Sequence, residues 1–145
     1  MSKLQIAELA IACEYNFNLD PDAGAQGIIA LNGILPVNAI IRRVSTFVYQ
    51  ALAGAGISIS FGLRNIGDFT HAVAPAILVP AYAIGYFNEL NTSGNFKARP
   101  GNDFSANPYK LYTGAEVVMA ISGTEEEVLT AGKIAITVEY TLMNL

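Results

Sequence analysis

Polar and apolar positions alternate with a period of two along most of this chain, the signature of strands half-buried in a sheet. Cys13, Tyr15, Phe17 and Leu19 are apolar and Glu14, Asn16 and Asn18 between them are polar, which predicts a strand with one buried and one wet face. Asp20-Pro21-Asp22-Ala23-Gly24 stacks turn formers. Gly27 to Leu31 then reads as a second short strand reaching a hairpin turn at Asn32-Gly33. Ala39 to Leu52, rich in Ile, Val, Thr, Phe and Tyr, predicts a long central strand. Gly54-Ala55-Gly56 ends it, and Ile57, Ile59, Phe61 and Leu63 alternate with Ser58, Ser60 and Gly62. The strands flanking that turn are the strongest hairpin expected.

The middle of the chain is less regular. Ala72 to Ala83 is apolar but carries Pro75 and Pro80, which favours a loop with an edge strand or a single helical turn over a helix. Asn88 to Tyr112 shifts to Asn, Ser, Gly, Pro and Lys and predicts a long loop holding one short strand near Phe96. Regularity returns in Glu116 to Ile121 and in Lys133 to Leu142, where Ile134, Ile136, Val138 and Tyr140 alternate with Ala135, Thr137, Glu139 and Thr141. About eight strands with almost no helical period indicate an all-β fold, a single-domain antiparallel β-sandwich that is jelly-roll-like. A length of 145 residues allows one domain. Residues 1–12 are expected to be an N-terminal arm or the first strand, and 13–145 the sandwich, with its irregular region around 69–115. If they are an arm, deleting residues 2–12 leaves the sandwich intact.

Composition narrows the partners. Eight Lys plus Arg against twelve Asp plus Glu gives 8 − 12 = −4, and the pI is about 4.8. Only Arg42 and Arg43 are adjacent cations, which argues against nucleic acid, since phosphate binders cluster Lys and Arg. Charged residues are 14% of the chain, against roughly a quarter in ordinary soluble domains, and 52% is apolar. Part of the apolar excess is therefore expected to lie against another chain. The longest charge-free stretch, His71 to Asn88, is broken by prolines and lacks the roughly twenty apolar residues of a membrane span. Cys13 has no partner for an internal disulfide. Gln5 and Glu8 interrupt the apolar start, so an export signal is not expected.

Candidate chemistry is thin. His71 and Cys13 are the single His and Cys, and Cys13 lies on an apolar strand face where an inert thiol is expected. Asp20 and Asp22 lack a complete calcium ligand set. Glu125 to Glu127 reads as a solvated turn, and Gly54-Ala55-Gly56 precedes a strand, so it offers no helix N-terminus to a phosphate. No catalytic residue, metal set or cofactor is expected. The aromatics are more informative, because Tyr82, Tyr86, Phe87, Phe96, Phe104, Tyr109 and Tyr112 crowd the irregular middle. Three readings stay open: a core under the loop, a protein interface, or a platform for sugar rings. For a sugar site the candidate contacts are Phe96, Asn102, Asp103 and Tyr109, with Asn107 nearby.

Several stretches carry a resemblance. EYNFNLDPDAGAQGIIALNGILPVNAIIRRVSTFVYQAL and, much later, LTAGKIAITVEYTL resemble a group of small virion structural proteins of tailed bacteriophages. The matching motifs are Gly24-Ala25-Gln26-Gly27, Leu35-Pro36-Val37-Asn38-Ala39-Ile40 and Leu129-Thr130-Ala131-Gly132-Lys133, and they span roughly half the chain. They make sense as architecture: Pro36 fixes an entry angle, Asn38 caps a turn and Gly132 permits one. The resemblance implies a non-enzymatic virion protein with a β-sandwich body, made in the host cytoplasm. The leading expectation is a capsid decoration (cement) protein, a homotrimer, bound to the major capsid protein. The alternative is a tail or head-fibre component that binds host carbohydrate. For the leading reading, the candidate capsid or subunit contacts are Leu4, Ile6, Leu9 and Ile11 in the N-terminal segment, and Ile77, Leu78, Tyr82, Tyr86 and Phe87 in the apolar loop.

Overall fold

The computed structural model describes residues 5–19, 27–66, 74–88, 99–104, 106, 108–123 and 129–144. Nine strands and one helical turn occur among them: β1 (Gln5–Asn16), β2 (Gly27–Leu35), β3 (Ile40–Ala53), β4 (Ile57–Asn65), β5 (Ala74–Ala83), α1 (Ile84–Phe87), β6 (Arg99–Pro100), β7 (Tyr109–Lys110), β8 (Ala115–Gly123) and β9 (Ala131–Asn144). Sheet 1 has the order β1-β9-β3-β6, with β7 also on β3, and sheet 2 the order β2-β8-β4-β5. Every pairing is antiparallel. The chain is the expected all-β sandwich.

The period-two pattern fixes which face is buried. Cys13 and Tyr15 of β1, Ile134, Ile136 and Val138 of β9, Ile57, Ile59, Phe61 and Leu63 of β4, and Val117, Met119 and Ile121 of β8 form one core between the sheets. Burial of such side chains is the main stabilising term of the fold. Residues 5–12 are continuous with 13–16 in β1 and paired with β9 throughout. Deleting 2–12 would thus strip the partner from half of β9, and would not simply remove an arm.

Two predicted hairpins are corrected. Asn32 and Gly33 do not turn the chain; they lie inside β2, where the register slips between Ala30↔Val118 and Ile34↔Glu116. Asn32 takes a left-handed φ of 61°, a conformation asparagine tolerates better than most residues, and the extra residues are absorbed as a bulge. Gly54-Ala55-Gly56 does not join hydrogen-bonded neighbours either, because β3 belongs to sheet 1 and β4 to sheet 2. That turn carries the chain across the core from one sheet to the other.

The bulge in β2 explains a glycine. A methyl on Gly33 would fall on Cys13 Sγ and close to Ile11 Cδ1. Gly33→Ala is expected to destabilise the fold by about 1–3 kcal/mol, the usual cost of overpacking. Combining it with Cys13→Ala should recover most of the loss, read as melting temperature; no recovery would show that the two residues do not share this space.

The prolines of β5 behave as sequence alone suggests. β5 is an edge strand, and its pairing with β4 slips between Tyr82 and Val79 and again between Val79 and Ala74. Pro80 and Pro75 fall within these two irregularities, where a missing N–H breaks no ladder bond. The chain then makes the single turn α1, and Asn88 closes it onto β3: its side chain accepts from Leu52 N (2.8 Å) and donates to Leu52 O (2.6 Å). A second strut follows at β6. Gly101 N donates to Val44 O at 2.7 Å, Asn102 N to Leu78 O at 2.8 Å, and the Asn102 amide to Ile77 O at 2.8 Å. Residues 99–102 thereby tie β3 of sheet 1 to β5 of sheet 2. Leu78 and Phe87 are wholly buried within the chain, so both belong to its core. Slippage of β5 turns Leu78 inward beside Val79, and the α1 turn drops Phe87 edge-on against Phe61.

Candidate interaction surface

The outer face of sheet 1 is built by β1, β9 and β3. Their registers place Glu8 beside Thr141, Ala10 beside Glu139, Ala12 beside Thr137 and Glu14 beside Ala135, while Arg43 lies beside Glu139, Ser45 beside Thr137 and Phe47 beside Ala135. The centre of the face is therefore a flat floor of small side chains: Ala10, Ala12, Ser45, Ala135 and Thr137. A flat floor admits close approach by another surface.

Charged and aromatic groups stand at its two ends. Between Ile41↔Tyr140 and Arg43↔Glu139 the register slips by one residue, making Arg42 the extra residue of a bulge. Alternation would send Arg42 and Arg43 to opposite faces; the bulge leaves both exposed. Arg43 Nε lies 3.6 Å from Glu139 Oε2, with both side chains open to solvent, so this pair adds little stability. Arg42 Nε donates to Thr141 Oγ1 at 3.4 Å. Both arginines rim a shallow depression with Glu8, Leu9, Ala10, Glu139, Tyr140 and Thr141. At the other end Phe47 and Tyr49 meet edge to face at 4.9 Å, and both are exposed. Lys133 Nζ sits 5.3 Å from the Tyr49 ring centre and 3.7 Å from Glu14. Arginine with exposed Phe and Tyr is the composition found at protein interfaces. Sequence reading missed this face because it assigned Phe47 and Tyr49 to a central strand and could not see the bulge.

The residues singled out from sequence are dispersed. Leu4 and Phe96 lie outside the described residues, as do His71, Asp20, Asp22, Asn107 and Glu125 to Glu127. Ile6 lies within β1. Leu9 is 41% exposed and Ile11 half-buried. Ile77 is half-buried, and Tyr82 stacks on Tyr86 at 4.0 Å in a second, smaller aromatic patch. Of the sugar-contact set, Asn102 is spent on the strut to Ile77, and Tyr109 packs against the core 6.3 Å from the buried Phe104. Asp103 is exposed and also engaged.

Burial raises the pKa of the Cys13 thiol, since the low-dielectric core disfavours thiolate. Among the described residues no group of three or more His, Cys, Asp or Glu could hold a metal, and no helix is long and apolar enough to cross a membrane.

Known structures share this fold. A chain from the capsid of Ralstonia phage GP4 is similar at a TM-score of 0.63 and 19% identity, over 96% of this chain and 86% of that one. A chain from the acidic stable capsid structure of Helicobacter pylori bacteriophage KHP30 is similar at a TM-score of 0.55 and 18% identity, over 97% of this chain and 94% of that one. No protein-family model and no curated protein matches the sequence.

Proposed function

We propose that this chain is a non-enzymatic structural protein of a phage virion, and specifically a decoration protein that binds the outside of the head and stabilises it. The observation that carries this reading is the near-complete, two-way likeness to chains of two phage capsids. The alignment spans most of this chain and most of each neighbour's chain, so the likeness extends over the whole sandwich. The strand orders β1-β9-β3-β6 and β2-β8-β4-β5 support it further. Consecutive strands change sheet at six of the eight connections, which supports a jelly-roll-like wrapping, an architecture used by viral capsid and lectin domains.

The mechanism is linkage. A subunit that binds the assembled shell but not its dissociated parts stabilises the shell by an amount that grows with the logarithm of its concentration over its dissociation constant. In this reading the contact is made by the outer face of sheet 1, with Arg42 and Arg43 directed at acidic groups of the major capsid protein and Phe47 and Tyr49 at an apolar patch.

Capsids lacking the protein, mixed with it and pelleted, test the proposal. Lattice-ordered density on the particle surface is expected by imaging. Arg42→Glu combined with Arg43→Glu should weaken binding at least tenfold, about 1.4 kcal/mol, with the sandwich intact by circular dichroism. A folded wild-type protein that leaves the capsids bare would overturn the decoration role. Unchanged binding by the double variant would overturn the assignment of this face.

A further inference from the structure

Four sheet edges exist in this sandwich, and three are blunted. β2 is broken by its bulge between Ala30 and Ile34. β5 carries two register slips with a proline in each. The free side of β3 is occupied by the two-residue strands β6 and β7. Such bulges, prolines and short strands are the devices by which proteins prevent unwanted strand addition. β1 has none of them. Its register with β9 runs without a slip from Gln5↔Asn144 to Asn16↔Lys133, it contains neither Pro nor Lys, and no strand among the described residues pairs with its other side. A long, regular row of outward backbone N–H and C=O groups is complementary to one kind of occupant, another extended strand.

We propose that the occupant is β1 of a second copy, paired antiparallel about a two-fold axis at Ala10. The sequence of β1 selects this register. An axis through Ile11 would set Glu8 opposite the partner's Glu14 twice, and like charges directly opposed are destabilising. An axis through Leu9 would pair only residues 5–13, whereas one through Ala10 pairs 5–15. With the axis at Ala10, Glu8 faces the partner's Ala12 and Leu9 faces the partner's Ile11. That covers the side chain of Leu9, which is 41% exposed in the single chain, and keeps the apolar rows of both copies on one side of the sheet. The contact is isologous and closes as a dimer. Sheet 1 then continues as β3-β9-β1 joined to the partner's β1-β9-β3, a surface about 29 Å across at about 4.8 Å per strand.

This pairing does not depend on the capsid reading and is tested on the purified protein alone. Light scattering over a concentration series should show the 15.4 kDa chain doubling in mass, and Leu9→Lys should raise the dimer dissociation constant at least tenfold while the protein stays folded. Register is tested by cysteine cross-linking in a Cys13→Ala background. Directly opposed strand residues have Cα atoms within disulfide range, so Ala10→Cys alone should form a covalent dimer on oxidation. Ala12→Cys alone should not, and a mixture of Glu8→Cys and Ala12→Cys chains should cross-link to each other. A wild-type monomer, a trimer, or a dimer that cross-links through Ala12→Cys alone would overturn the proposal.

Discussion

Glu116→Ala is expected to destabilise the protein by about 3–5 kcal/mol, the range found when one member of a buried ion pair is removed. Glu116 on β8 and Arg64 on β4 are register partners in sheet 2, and Arg64 Nε contacts Glu116 Oε1 directly. The Arg64 side chain is only 9% exposed and that of Glu116 15%. Both point away from the core lined by Leu63 and Val117, yet this outer face is itself covered, since Val118 and Ser60 on it are buried too. Removing the carboxylate leaves a guanidinium that cannot lose its proton and cannot reach bulk water without disturbing its neighbours. Replacing both partners, Arg64→Met with Glu116→Leu, should cost far less, because the desolvation of both charges disappears with their attraction. Urea unfolding of the single and double variants measures the difference. A loss below about 1 kcal/mol for Glu116→Ala would mean that the pair behaves as a surface one.

The second large effect is expected at Gly101. A Cβ there would lie 2.6 Å from Leu78 O and 2.8 Å from Val44 Cγ1, and the first of these is a backbone atom that cannot swing aside. Gly101→Ala must therefore lift residues 99–102 off the sandwich edge. The lift loosens the bonds from Gly101 N to Val44 O and from Asn102 to Leu78 O and Ile77 O. The three bonds, each worth about 1 kcal/mol net, are weakened and not lost, and overpacking adds about 1–3 kcal/mol, so the loss should be about 2–4 kcal/mol. The readouts are a lowered melting temperature and faster proteolytic cleavage near this strut. Asn102→Ala keeps the glycine and removes one bond, so it should cost less than Gly101→Ala; the reverse order would show that the amide and not the close approach holds the strut.

These two sites show where sequence reading stops. Arg64 follows a strand pattern whose alternate positions look solvent-facing, and nothing local says that Glu116, fifty-two residues later, will lie opposite it. Asn102 sits in a stretch of polar residues and is a candidate sugar contact in the sequence, yet its backbone N–H and its side-chain amide bind Leu78 O and Ile77 O of β5. Tyr82, Tyr86 and Phe87 form one aromatic group in the sequence, with core and interface readings both open; in the fold Tyr82 is exposed, Tyr86 half-buried and Phe87 fully buried, because the single helical turn α1 points Phe87 inward.

The all-β class, the places of β3, β4, β8 and β9 and the buried faces of β4 and β9 are legible in the sequence, because the pleat of each strand imposes a period of two. The first strand is not: alternation extends it over 13–19, whereas β1 spans Gln5–Asn16 and Leu19 beyond it is 77% exposed. Two prolines also exclude a helix or a central strand over 72–83 and leave a loop with an edge strand or a single helical turn; the fold contains both, β5 and then α1. Pairing between distant strands makes Asn32-Gly33 a bulge and sends Gly54 to Gly56 across the core. It likewise puts Arg42 and Arg43 on one face and leaves β1 with an unprotected edge. Each of these depends on which distant strand supplies the hydrogen bonds, and a pattern that buries one face equally well in either sheet carries no information about that choice.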